Sequence, residues 1–158
     1  MKEALKTAMT TSISEVLETM FFMTIETFDG TDWEKFTEES ADETLFVSKI
    51  NFNGPLSGYF VLMIPENVLS AMTEMFMGLE ADGVTDTHLL GTISEAINMI
   101  AGNTFSRLDD QAVYNLEIPE LVDVGSLLKH SAHPDKNNIF IRIKTPGGHL
   151  GLQLSYFI

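Results

Sequence analysis

Ile93-Ser94-Glu95-Ala96-Ile97-Asn98 repeats, 80 residues on, the earlier stretch Ile13-Ser14-Glu15-Val16-Leu17-Glu18. Each copy sits inside a helical pattern. Around the first, Leu5, Met9, Ile13, Val16, Leu17 and Met20 recur at steps of three and four, which predicts an amphipathic helix over residues 2 to 21. The second predicts a long helix from about 87 to 108, with Thr85 or Asp86 as its N-cap. Each copy is followed, after an intervening segment, by a glycine-punctuated hairpin. The first pairs Leu45 to Phe52 with Leu56 to Met63 around Asn53-Gly54-Pro55, and the second pairs Asn138 to Lys144 with His149 to Phe157 around Pro146-Gly147-Gly148. An offset this long exceeds the ~20–50-residue periods of solenoids and marks a duplicated half. The fold expected is α+β, with pseudo-duplicated αββ-type halves in one domain over residues 1–158. Its two long helices pack together against an antiparallel β-sheet.

The segments between these landmarks read less sharply. Phe21 to Phe28 is aromatic and β-branched and predicts a strand. Residues 29–43 hold seven acids and one lysine without a clear period, which reads as a solvated acidic loop with a helical turn around Trp33 and Phe36. Pro65 sits where the first turn of a helix tolerates it. Val68, Leu69, Met72, Met75 and Phe76 continue that helix, and Gly78 closes it. After an acidic linker and the long helix, Val113 to Ile118 and Leu121 to Leu128 read as short strands.

Composition narrows the class of function. The chain has 158 residues, 44% of them hydrophobic, which suits a folded domain. No apolar run approaches the ~18 residues of a membrane span, and the opening Met1-Lys2-Glu3-Ala4 does not read as a signal peptide. The absence of cysteine excludes disulfide scaffolds, zinc ribbons and thiol nucleophiles, and fits a cytoplasmic protein. Nine basic residues against 23 acidic ones give a net charge of −14. Such a field repels nucleic-acid backbones and attracts a basic protein surface.

The faces of the second long helix carry the chemistry. At ~100° per residue, Leu90, Ile93, Ile97, Ile100, Ala101, Thr104 and Leu108 form one apolar stripe that must face the core. Gly91, Glu95, Asn98 and Gly102 fall on the opposite side, where Glu95 and Asn98 are only ~60° apart and therefore neighbours. A glycine inside a helix costs about 1 kcal/mol relative to alanine, and asparagine is also a poor helix former. Three locally unfavourable residues thus share one outward face. They leave room for another surface to approach a polar pair.

Other constellations are weaker. His130 and His133 lie three apart without a carboxylate at defined spacing, so no metal site is expected. Ser126 and Ser131 lack a hydrolase frame, and Gly147-Gly148 lies in a hairpin rather than before a helix. Met72, Met75 and Met77 read as core filler. Trp33 and Phe36 read as aromatics that pin a loop to the core.

The segment Glu95-Ala96-Ile97-Asn98-Met99-Ile100-Ala101-Gly102-Asn103 resembles the Glu-x-x-Asn signature of the CheC/CheX family, phosphatases of the chemotaxis response regulator CheY. Val16-Leu17-Glu18-Thr19-Met20 resembles its CheX branch. The resemblance implies hydrolysis of an acyl phosphate carried by an aspartate of a CheY-like receiver domain. It implies that Asn98 orients the attacking water, that Glu95 docks against a lysine of the receiver, and that Gly91 and Gly102 belong to the docking face. The divalent metal, Mg, is supplied by the receiver, and this chain is expected to bind no cofactor. Glu18 stands where a second active motif has asparagine, so the resemblance assigns catalysis to the second copy alone, the CheX pattern rather than that of CheC. Gly91 stands where the family often has Asp or Ser. The family also implies a homodimer formed through sheet elements. The alternative is a non-catalytic binding module, a flagellar-switch-like scaffold on the same fold.

Overall fold

A computed structural model describes residues 1–29, 33–129 and 137–157. Helix α1 (Lys2–Met20) leads to strand β1 (Glu26–Asp29) and a short helix α2 (Trp33–Glu39). The hairpin of β2 (Leu45–Asn53) and β3 (Ser57–Pro65) follows, and then α3 (Glu66–Met77). A 3₁₀ turn at Ala81–Gly83 precedes α4 (Asp86–Leu108), the short strands β4 (Asn115–Leu116) and β5 (Glu120–Leu121), and α5 (Val124–Lys129). Strands β6 (Asn137–Thr145) and β7 (Gly148–Phe157) form the last hairpin. The duplication is fuller than the expected αββ plan. The first half runs α-β-α-β-β and the second α-β-β-α-β-β, with α3 as the connector.

All strands join one antiparallel sheet in the order β1-β6-β7-β3-β2-β4, with β5 also pairing β2. The order reads as a pseudo-two-fold about the β3–β7 pairing. Each half also lends its first strand to the other, since β1 pairs β6 and β4 pairs β2. The halves are therefore interlocked rather than merely stacked.

The period-2 alternation of the strands assigns their faces. Ile50, Phe52, Phe60, Leu62, Ile64, Ile139, Ile141, Ile143, Leu150, Leu152 and Leu154 point to one side. There they bury against Leu5, Met9, Ile13, Val16 and Leu17 of α1, Val68, Leu69 and Met72 of α3, and Ile93, Ile97 and Ile100 of α4. On the other side Val47, Val61 and Met63 meet Phe36 of α2 and Leu127 of α5 in a second cluster. Helix ends follow the local signals. Thr85 caps α4 by accepting from the His88 N–H at 3.3 Å, while His88 Nδ1 accepts from the Thr85 N–H at 3.1 Å. Gly78 ends α3 at φ 65, a left-handed conformation that only glycine adopts without strain.

Several sequence expectations are corrected here. The strand expected from Phe21 is restricted to Glu26–Asp29. Phe21 instead closes α1 and packs its ring 5.3 Å from that of Phe76, and Phe22 takes φ 54, which breaks the extended run. The helical turn expected around Trp33 and Phe36 in the acidic loop is, by contrast, present as α2, with Phe36 fully buried beneath it. Residues 121–128 are mostly not a strand. Only Glu120–Leu121 pairs, and then α5 turns Leu127 onto the sheet. The strand expected from Val113 to Ile118 is paired only at Asn115–Leu116, with Val113 and Ile118 exposed. Met72 is buried as expected, but Met75 and Met77 are 54% and 37% exposed, because they lie past the edge of α3's buried face.

The second layer carries a pH-sensitive contact. Arg142 of β6 pairs with Glu39 of α2, lies over the Phe36 ring, and donates from Nε to Nδ1 of His149 at 3.2 Å. Accepting that hydrogen bond requires a neutral imidazole. Burial, then Arg142 and Lys144, push the His149 pKa below its ordinary 6.5, against smaller opposing contributions from Glu39 and Glu43. Just below pH 6.5 the unfolded chain therefore holds more protons at this residue than the folded one, and stability falls as pH drops through that window. Urea midpoints measured from pH 7.5 to 5 should decline, and His149→Gln should flatten that part of the decline. An unchanged slope in the variant would assign the decline to other groups.

Candidate functional site

Helix α4 lies between α1, α3 and the sheet, so its buried arc is wider than one stripe. Leu89, Thr92, Ala96 and Phe105 are buried together with Ile93, Ile97, Ile100, Ala101 and Thr104. Leu90 and Leu108, placed in the expected stripe, are only half-buried at its margin. The opposite face falls where the sequence puts it. Gly91, Glu95 and Asn98 are exposed, and Gly102 is half-buried.

Among the described residues the two glycines have no packing role. A Cβ on Gly102 would meet nothing within 4 Å, and one on Gly91 would only reach the Met77 methyl at 3.5 Å, an ordinary contact. Close helix packing therefore does not explain either residue. What remains is a cleared strip on the outward side of α4, with a carboxylate and a carboxamide between two positions stripped of side chain. The carboxamide can donate and accept at once, and the carboxylate only accepts.

The first copy of the motif is differently placed. Glu15, the counterpart of Glu95, forms an ion pair with Arg107 at the end of α4. Glu18 replaces the asparagine and is exposed. One carboxylate is thus engaged inside the molecule and the amide is missing. Among the described residues no group of three or more His, Asp or Glu side chains is arranged to hold a metal ion. Residues His130, His133 and Ser131 lie outside the described residues, and Ser126 is exposed on α5.

Two features beside the strip were not foreseen. At its N-terminal end, Met77 reaches Gly91, and Met75, two residues earlier on α3, is exposed. At its C-terminal end, Gly102 borders a cavity of about 260 Å³. Its floor is the Phe105 ring stacked on Tyr114, with centroids 3.8 Å apart and planes within 7°. Burial raises the Tyr114 pKa above its ordinary 10.0, with the nearby Asp109 adding to the shift and a backbone hydrogen bond from Leu56 opposing it. Phe105 and Tyr114 are far enough apart in sequence that no local period joins them.

No helix among the described residues is long and apolar enough to cross a membrane. The fold matches a chain of the CheX–CheY–BeF3–Mg complex from Borrelia burgdorferi with a TM-score of 0.71 at 13% identity, covering 96% of this chain and 97% of that one. CheX from Vibrio vulnificus matches with a TM-score of 0.73 at 13% identity, over 96% and 95% of the two chains. The middle domain of FliM from Vibrio alginolyticus matches with a TM-score of 0.62 at 12% identity, over 98% and 91%. A search of curated protein sequences finds no significant match. At these identities the structural likenesses establish the fold alone. The sequence itself matches the family model described as chemotaxis phosphatase CheX over residues 46–144, a span that includes Glu95 and Asn98. The chain belongs to the CheX family.

Proposed function

We propose that this protein hydrolyses the phospho-aspartate of a CheY-like receiver domain, with Asn98 orienting the water and Glu95 docking against a basic residue of the receiver. The observation that carries the reading is the cleared strip on α4. Glu95 and Asn98 are exposed side by side between two glycines that no contact among the described residues requires. Membership of the CheX family supports it, as does the likeness to a chain of a CheX–CheY complex. The receiver supplies the divalent metal, Mg, and the charge that neutralises the phosphoryl oxygens.

The chemistry asks little of this chain beyond position. Water attacks phosphorus, the bond from phosphorus to the aspartyl oxygen breaks, and both water hydrogens leave on the inorganic phosphate. The leaving group is a carboxylate, stable as an anion at neutral pH, so no general acid is needed. What the receiver lacks is an ordered nucleophile in line with the breaking bond. Asn98 holds it by accepting a hydrogen bond from the water, and fixing that geometry lowers the barrier. Glu18 at the corresponding position of the first copy leaves that face without the amide, so one site acts per chain. The enzyme works in the cytoplasm as a homodimer, with no membrane or nucleic-acid partner.

Decay of a phosphorylated CheY-type receiver, timed with and without the protein, tests the reading. A shortened lifetime is expected. An unchanged lifetime across several receivers would move the protein to the binding-module class, for which its likeness to the FliM middle domain is the argument. The glycines give a second test with opposite signs. Gly102→Ala should stabilise α4 by about 1 kcal/mol and raise Tm by about 2–4 °C, because alanine is the better helix former and nothing blocks its methyl. The same methyl should slow dephosphorylation if the receiver approaches over this strip. A variant that is both more stable and fully active would show that the clearance is unused.

A further inference from the structure

The end of α4 carries the wrong charge for its own stability. A helix C-terminus is the negative end of the macrodipole and favours cations. Here it runs into Asp109 and Asp110, and the basic residue of its last turn, Arg107, is turned away to Glu15. Among the described residues neither aspartate has an ion-pair partner. Asp109 Oδ1 accepts from the Gln111 N–H at 3.0 Å, and Asp110 Oδ1 accepts weakly from Gln111 Nε2 at 3.4 Å. These carboxylates stand on the cavity lined by Gly102, Phe105, Ser106 and Tyr114. Its floor is the stacked Phe105–Tyr114 pair. Aromatic rings, two uncompensated carboxylates and a helix C-terminus all favour the same occupant, a cation of side-chain size. With no third ligating group gathered around them among the described residues, a metal ion is poorly served. A guanidinium or ammonium on an apolar stem fits both the rings and the acids.

The cavity is also continuous with the strip. Gly102 borders it, and Gly102 lies one helical turn beyond Asn98 on the same face. We infer that this cavity receives a Lys or Arg side chain of the same receiver whose phospho-aspartate meets Asn98, a second docking point that sets which receivers are accepted. The inference rests on the phosphatase reading for its partner, but its site is distinct from Glu95. Two anchors at either side of Asn98 fix the direction in which the receiver lies along α4, which a single contact at Glu95 cannot do. Orientation of this kind appears mainly in affinity and specificity rather than in the chemical step.

The test uses the whole protein with a CheY-type receiver phosphorylated by acetyl phosphate. Asp109→Asn combined with Asp110→Asn should raise KM about tenfold, leave kcat within twofold, and flatten the dependence of KM on salt. Tm should hold or rise, since the helix end loses unfavourable charge. Asp110→Lys should weaken binding further, and one receiver variant carrying Glu in place of a surface Lys or Arg should restore it. Unchanged KM and salt dependence in the double variant, with Asn98→Ala still inactive, would overturn the docking pocket while leaving the phosphatase reading intact. If the wild-type protein does not shorten the receiver's lifetime, affinity alone decides. Equal binding of receiver by wild type and the double variant would then overturn the pocket, and weaker binding by the variant would support it.

Discussion

Asn98→Ala should abolish most of the dephosphorylation rate while leaving the protein folded. The side chain is exposed on α4, opposite the residues that pack against α1 and the sheet, so its removal opens no cavity. Alanine is the better helix former, and Tm should stay level or rise by a degree or so. The loss is confined to the transition state. Without the amide, the water near phosphorus keeps its orientational freedom, and restoring that order costs about 3 kcal/mol, or roughly two orders of magnitude in kcat. Glu95→Gln should behave in the complementary way. It removes a charge that attracts a basic group but not the group that holds the water, so KM should rise, more at low salt than at high, with kcat little changed. Glu18→Ala serves as the control, because its position in the first copy carries no amide to lose. Stopped-flow decay of the phosphorylated receiver, with binding and melting measured on the same preparations, separates these effects. An Asn98→Ala protein that stays folded, binds the receiver and turns over at the wild-type rate would remove Asn98 from the mechanism.

That such a site can be read from one sequence follows from where its residues lie. Glu95 and Asn98 are neighbours through helix geometry alone, and the 3.6-residue period that buries Ile93, Ile97 and Ile100 also turns the polar pair outward. The hairpins β2–β3 and β6–β7 were legible for the same kind of reason, since alternation and turn residues are local. Helix α2 was not. Glu34, Lys35, Glu38 and Glu39 of its seven residues are exposed, and Phe36 carries the burial that fixes it. A one-residue anchor has no period. Helix α5 is shorter still, and Leu127 is held by contact with strands far away in sequence. The Phe22 conformation and the Arg107–Glu15 pair belong to the same class, because both arise where α1 meets other elements. The sequence marks the strip, but not the cavity at its end, because Tyr114 reaches Phe105 only through the return of the chain after α4.

Gly58→Ala should destabilise the protein as strongly as Asn98→Ala disables it. Gly58 lies on β3 opposite Tyr156 of β7, in the pairing that joins the two halves. A Cβ at this position would overlap the Ser155 carbonyl oxygen and stand only 2.8 Å from the Tyr156 Cα, where real Cβ contacts essentially never fall below 3.0 Å. The obstacle is backbone on a strand hydrogen-bonded on both sides, to β3 and to β6, so no rotamer change relieves it. Ser155 is further tied down, since its Oγ donates to Asn138 Oδ1 at 2.6 Å and accepts from Gln153 Nε2 at 2.9 Å. Moving β7 aside would strain that buried network as well as the ladder. Overpacking of this kind costs about 1–3 kcal/mol when side chains can adjust, and this site sits at or above the upper end. A loss of about 3 kcal/mol corresponds to a fall in Tm of roughly 6–12 °C for a chain of this length. Gly58→Val, with a branched Cβ in the same place, should leave little folded protein. The contrast with Gly102→Ala is the informative part. Both substitutions add one methyl to one glycine, yet one should raise Tm and the other lower it, because neighbouring backbone occupies the space beside Gly58 and none of the described residues occupies the space beside Gly102. Equal melting of Gly58→Ala and wild type would mean that β3 and β7 lie farther apart at this point than described, and the join between the halves would need to be redrawn.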